Sequence, residues 1–185
     1  MEYGFFCDTG PIRGFCDVRD QHRAASLNFF TTFPVNEYNF YVPDTVVKEL
    51  NGFKNRLRRQ ARKMKLDKDT FSYLRLVQQC MDRFISQMTL FSSDDGYEIE
   101  LEKVIVCIQP IIGFQDINQR NDVDIVSNAI IWSTVSDYDR RILITLDRNH
   151  LYRYQKKLVH QAEKELRKRV PLSICYLPFF QSKGF

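Results

Sequence analysis

Residues 141–147, RILITLD, decide the fold. An apolar run rich in β-branched residues that ends on an acid reads as a buried strand delivering a carboxylate to a sheet edge. Residues 2–8, EYGFFCD, follow the same pattern near the other end of the chain and finish on Asp8. The Gly10-Pro11 pair is expected to break that first strand at once. Residues 17–31 look helical, with Ala24, Ala25, Leu27 and Phe30 on related turns. Residues 39–42 read as a second strand. Pro43-Asp44 then opens a short helix, with Asp44 as N-cap and Val46, Val47 and Leu50 inward, until Gly52 interrupts it.

Outward from these anchors the pattern continues. Residues 54–90 are mostly helical and amphipathic, with Leu66, Phe71, Leu74, Val77, Met81, Phe84 and Met88 as candidate inward residues. Residues 92–96 form a turn, 97–108 one or two strands, and 109–120 a loop. A helix is expected over 122–136, preceded by Asn121. After the 141–147 strand comes a basic helix over 149–168, ended by Val170-Pro171, and a last strand over 172–177 before Pro178. Alternating strands and helices favour an α/β sandwich around a mostly parallel sheet. We read residues 1–185 as one domain, with the basic helical segment at 54–90 as an insertion or arm.

Composition supports a folded core and excludes several classes. Hydrophobic residues make up 44% of the 185 and aromatics 14%, too many for a disordered chain. No apolar run reaches the ~20 residues of a membrane span. No basic segment followed by a long apolar stretch opens the chain, so a secretory signal is not expected and a cytoplasmic location is. The five cysteines, Cys7, Cys16, Cys80, Cys107 and Cys175, form no CxxC pair, which argues against a disulfide framework or zinc cage. The net charge of +4 is unevenly spread. Lys54, Arg56, Arg58, Arg59, Arg62, Lys63 and Lys65 form a run without an acid, and Lys156, Lys157, Lys164, Arg167, Lys168 and Arg169 form another. Such runs are often solvated helix faces, but beside a folded core they suit a polyanion.

In open parallel sheets, ligands bind beyond the carboxyl ends of the strands. Asp8 and Asp147 stand there. Asp122 opens a helix, whose N-terminus favours an anion, and Glu49 lies about one turn into the helix after the second strand. Each acid alone is an ordinary turn, cap or surface residue; their joint placement makes a site. Clustered carboxylates repel one another and take up protons unless a cation joins them. An all-oxygen donor set points to Mg²⁺ or Mn²⁺, which activates water and stabilises charge on a phosphate. Thr9 and Thr145 could orient a carboxylate or meet a phosphate. Asn121 reads chiefly as a helix cap, His150 as a surface residue, and Arg148 as either surface or phosphate contact. Tyr152 and Tyr154 suit core packing or base stacking.

Four segments carry a resemblance to a known family. FFCDTGPIRGF, FYVPDTVVKELNGFKN, NDVDIVSNAI and RILITLDRNHL resemble, in order, the four motifs of PIN domains, spanning Phe5 to Leu151. The resemblance implies a three-layer α/β/α fold and Mg²⁺- or Mn²⁺-dependent cleavage of RNA, leaving a 5′-phosphate and a 3′-hydroxyl. It assigns the acidic roles to Asp8, Glu49, Asp122 and Asp147, with Asp8, Asp122 or Asp124, and Asp147 as metal ligands. Asp124 stays a rival to Asp122: in regular helix the two lie roughly 200° apart, so one of them faces away. Thr9, Lys54, Arg56, Arg58, Arg59, Arg62 and Arg148 are the expected nucleic-acid contacts. Gly10 departs from the family, which usually has Asn or Ser there. The partners this reading admits are single-stranded or looped RNA, a protein antitoxin or regulator, and a second copy of the chain; no membrane partner is expected. A PIN-like RNA-binding scaffold of weak or no activity and a flap-type DNA nuclease remain the alternatives.

Overall fold

The structure is a computed structural model that describes residues 1–63, 68–92, 96–113 and 115–180, with Lys63 described by its backbone alone. Its centre is a parallel sheet of five strands: β1 (Tyr3–Cys7), β2 (Asn39–Pro43), β3 (Thr89–Phe91), β4 (Arg140–Thr145) and β5 (Leu172–Tyr176). They lie in the order β3-β2-β1-β4-β5, and every neighbouring pair is parallel. A central strand of such a sheet is covered on both faces and must be apolar throughout. β1 meets that demand, since Phe5 and Phe6 are both fully buried and face opposite ways. Phe5 packs on Phe29 and Phe40, with ring centroids 5.3 and 4.9 Å away. Phe6 packs on Trp132 at 5.5 Å.

Among the described residues seven α-helices cover the sheet: α1 (Thr9–Cys16), α2 (Arg23–Thr32), α3 (Asp44–Lys63), α4 (Lys68–Ile85), α5 (Glu98–Ile112), α6 (Ile117–Val135) and α7 (Gln155–Leu166). The strands step outward from β1 through β2 to β3, then return past β1 to β4 and β5. Right-handed crossovers therefore put α1–α4 on one face and α5–α7 on the other. The packing agrees: α1 contacts α2, α3 and α4, whereas α5 contacts α6 and α7. This is the expected three-layer α/β/α sandwich. The connections change face between the adjacent strands β1 and β4, so a crevice opens at their carboxyl ends. Among the described residues no helix is long and apolar enough to cross a membrane.

Several local expectations are corrected. β1 ends just before Gly10-Pro11, as expected, but the pair opens a helix that was not expected: both residues sit in the first turn of α1, where a helix needs no N–H from proline. The second helix starts at Arg23, later than expected, and buries Ser26, Phe29 and Phe30, leaving Leu27 exposed. Gly52 does not interrupt α3, which runs unbroken to Lys63. Asp44 is the first residue of that helix, while Val46 and Leu50 are buried as expected. In α4, Leu74, Val77, Met81 and Phe84 face the core, but Phe71 is exposed. It lies in the first turn of α4, beyond the packed stretch, in a groove with Arg58 and Arg62.

The segment read as strands over 97–108 and loop over 109–120 is largely helical. α5 buries Val104, Ile108 and Ile112, a helical spacing that its β-branched composition hid. The short edge strand β3 overlaps the end of the run read as helix over 54–90. The basic helix after Asp147 is divided: Arg148–Tyr152 form a π-helical turn and only then does α7 begin. Leu66, Lys65 and the heart of the 92–96 turn fall outside the described residues.

Candidate active site

Strands β1 and β4 run side by side, with Cys7 opposite Ile144. Just past the end of β1, the Asp8 N–H donates to the Ile144 carbonyl at 3.1 Å. Asp8 is buried and caps α1: its Oδ1 accepts the Thr9 N–H at 2.6 Å. Its Oδ2 accepts the Thr145 hydroxyl at 2.7 Å. That same hydroxyl oxygen accepts the Asp147 N–H at 2.9 Å. Thr145, fully buried, thus joins the acid after β1 to the acid after β4.

Asp147 organises the π-helical turn that follows it. Its Oδ1 accepts the N–H groups of Asn149 and His150 at 2.8 and 3.0 Å. The turn brings the His150 ring back, so that Nδ1 lies 3.0 Å from Asp147 Oδ2 and 3.6 Å from Asp122 Oδ2. Ligand atoms of Asp122, Asp147 and His150 all lie within 4.8 Å of one another. His150, expected at the surface, is half-buried in the cluster.

Helix α6 begins at Ile117, because Asp116 caps it through the Gln119 N–H at 2.9 Å. Asn121 is therefore inside the helix rather than its cap. Its side-chain amide donates to Glu49 Oε1 at 2.5 Å, while the Thr9 hydroxyl donates to Glu49 Oε2. Asp122 and Asp124 both sit in regular helix, on opposite sides. Asp122 faces Asp147 and His150, whereas Asp124 accepts the Thr45 hydroxyl from the first turn of α3. Of the two rivals, the structure brings Asp122 into the cluster and leaves Asp124 outside it.

The electrostatics reflect the convergence. Burial, then the charges of Asp8, Asp147, Glu49 and Asp116, push the Asp122 carboxyl up to about 8. Burial pushes Asp8 up to about 6; hydrogen bonds from Thr145 and Thr9 pull it down, and the Glu49 and Asp147 charges add to the rise. A carboxylate that retains its proton near neutrality among three others is in a field that a cation would relieve. The carboxyls of Asp122 and Asp147, with Asp8 and Glu49 alongside, are the oxygen donors a hard divalent ion takes, while the His150 imidazole in the group departs from the expected all-oxygen set.

The expected phosphate contacts divide. Lys54 is buried and its ammonium donates to Asp82 of α4, so it pins α3 to α4 instead of facing solvent. Arg58 is exposed and contacts Gln78 and Asn55 at 3.1 and 3.5 Å. Arg59 and Arg62 are exposed on the same helix, and Arg56 lines a cavity of about 550 Å³ beside Glu49. Thr9 is buried against Glu49. Arg148 lies over the Phe179 ring at 5.4 Å, and Tyr152 packs with Tyr176 and Phe179. In the second basic run, Lys168 pairs with Glu100 at 3.0 Å.

Two residues of this region carried no clear signal in the sequence. His150 was visible only as a histidine three places after an acid, and the unusual turn gives it its position. Arg13 lay between the first strand and the first expected helix, in no element assigned from the sequence, and α1 gives it its position. A family model described as "PIN domain" matches residues 23–159. The matched stretch contains Glu49, Asp122, Asp147 and His150; Asp8 precedes it and reaches them through the pairing of β1 with β4. No curated protein matches the chain.

Proposed function

The chain belongs to the PIN-domain family, and from that membership and its acidic crevice we propose that it is a metal-dependent endoribonuclease. The observation that carries this reading is Asp122. Its carboxyl is pushed up to about 8 by burial and by Asp8, Asp147 and Glu49, a repulsion that a bound cation would relieve. Asp8, Asp122 and Asp147, with His150 beside the last two, would hold Mg²⁺ or Mn²⁺. Bound there, the ion supplies an activated water and stabilises charge on the phosphate.

The remaining work falls to the chain itself. Thr145 fixes the rotamers of Asp8 and the Asp147 loop, and Thr9 and Asn121 fix Glu49. Such supporting hydrogen bonds hold carboxylates in place before substrate arrives. Glu49, outside the tight Asp122–Asp147–His150 group, would orient the attacking water. Hydrolysis forms a bond from that water oxygen to phosphorus and breaks the bond to the leaving 3′-oxygen, giving a 5′-phosphate and a 3′-hydroxyl. The exposed arginines Arg56, Arg58, Arg59 and Arg62 would hold backbone phosphates in a salt-sensitive, sequence-tolerant way.

The test is to incubate the chain with single-stranded RNA and, separately, with branched DNA, in Mn²⁺ and in EDTA. Cleavage of RNA in Mn²⁺ alone supports the reading. Cleavage of branched DNA only would assign the site to a flap-type nuclease, and RNA binding without any cleavage would make the chain a binding scaffold.

A further inference from the structure

Among the described residues the Arg13 guanidinium has no anionic partner. It lies 4.5 Å over the ring of Phe53, and its Nε is buried without a hydrogen-bond partner. Among the described residues no carboxylate pairs with it. The nearest acid of the same cavity, Glu49, accepts from Thr9 and Asn121 instead. A half-buried cation without a counter-charge is costly, and an anionic ligand returns that cost. Arginine presents a rigid fork suited to phosphate.

The surroundings have the shape and chemistry of a nucleotide site. Thr9 and Arg13 are four residues apart on α1, and Glu49, Phe53 and Arg56 are four and three apart on α3. Helical spacing therefore turns both sets toward one space. That space is the cavity of about 550 Å³ that also borders the acidic cluster through Thr9, Glu49 and Asn121, a volume in the range of small-ligand pockets. Its wall includes Gly52, in the interior of α3. Glycine is a poor helix former, and no close backbone approach calls for one here, because a Cβ at Gly52 would meet nothing within 4 Å. Its absence keeps the cavity open. Lys48 adds a further positive charge on the wall, half-satisfied by Asp44 at 3.6 Å on the exposed side.

We propose that this cavity is a subsite for the nucleotide next to the scissile bond, with Arg13 holding its phosphate and the Phe53 and Arg56 wall receiving its base. The base must be unstacked to enter, so the substrate class is a single strand or a splayed loop and not a duplex. The proposal rests on the nuclease reading of the neighbouring acids and extends it to a residue outside them.

Binding of a short fluorescein-labelled single-stranded oligoribonucleotide, followed by anisotropy in EDTA so that nothing is cleaved, tests it. Arg13→Gln should weaken binding about tenfold and make the log–log salt dependence shallower by about 0.7, the value of one phosphate contact on a single strand. Arg13→Lys should recover part of the loss. Gly52→Leu should weaken binding by filling the cavity while leaving the charge and, by circular dichroism, the fold unchanged; it stands in should Arg13→Gln fail to fold. Wild-type affinity in both Arg13→Gln and Gly52→Leu, or no binding by the wild type itself, overturns the subsite. If Mn²⁺-dependent cleavage persists in that event, the nuclease reading survives without it; if cleavage is absent as well, both fall.

Discussion

Thr145 donates its hydroxyl to Oδ2 of Asp8 at 2.7 Å. The contact bridges 137 positions in sequence but only the width of one strand pair, and the same oxygen accepts the N–H of Asp147. A single buried hydroxyl thus sets the spacing of the two acids that end β1 and β4. Thr145→Val keeps the shape and removes both bonds, leaving a buried carboxylate oxygen and an amide without their partner. We expect a loss of about 1–3 kcal/mol, at about 2–4 °C of Tm per kcal/mol for a chain of this size. Cleavage should fall about 10–100-fold, as for other residues that position metal ligands. Thermal melts and initial rates check both; an unchanged rate would show that the bridge is structural only.

His150 Nδ1 stands between the carboxylates of Asp147 and Asp122. His150→Ala is expected to lower Mn²⁺ affinity about 10–100-fold, measured by calorimetric titration. Its Tm without metal should change little, because the ring is half exposed. Unaltered Mn²⁺ binding would remove His150 from the site.

The metal-free chain should grow more stable as pH falls from about 8 toward 5. Asp122 takes up its proton near 8 and Asp8 near 6 in the folded chain, against about 3.9 for an unfolded aspartate. Between those values the folded chain binds more protons than the unfolded one, so unfolding free energy rises as pH drops. The contribution is complete below the unfolded value and lost as pH rises through the folded values. Tm measured in EDTA at about pH 5.5 should exceed that at about pH 8.5, and Asp122→Asn should reduce the difference. An equal or larger pH dependence in Asp122→Asn would contradict the assignment.

Gly10 departs from the Asn or Ser usual in the resembling motif, and the structure supplies a reason. A Cβ at position 10 would lie 3.1 Å from Cβ of Leu146, so a side chain there must push the first turn of α1 away from the end of β4. Gly10→Asn should cost about 1–3 kcal/mol as overpacking does and should not raise activity. Leu146→Gly, which removes that Cβ, should relieve the clash. A more active Gly10→Asn enzyme with an unshifted Tm would refute this.

The sequence revealed the fold where an apolar run meets an acid or a proline. β1, β2, β4 and β5 lie within two residues of their expected bounds for that reason. It misled where one residue type has two readings. Pro11 breaks a strand but is harmless in a first helical turn, and Val104–Ile108 suits either period until burial of Val104, Ile108 and Ile112 chooses the helix. The same holds at the site. Asp8 and Asp147 were legible because strand ends place them. Asp122 and Asp124 were not separable, because the phase of α6 depends on where Asp116 starts it. His150 was hidden because its position is set by the π-helical turn, which the Asp147 side chain caps through the N–H groups of Asn149 and His150. Lys54 looked like its basic neighbours, and only the packing of α4 turns it inward to Asp82.

Cleavage of labelled single-stranded RNA in Mn²⁺ by Asp122→Asn beside Asp124→Asn decides whether the cluster around Asp122 is the site of cleavage. The two acids are two residues apart on one helix, and only Asp122 joins the cluster with Asp147 and His150. The wild type should cleave in Mn²⁺, Asp122→Asn should lose more than about 100-fold, and Asp124→Asn should keep near-wild-type rates. No Mn²⁺-dependent cleavage by the wild type, or an Asp122→Asn variant as active as the wild type, would contradict that assignment.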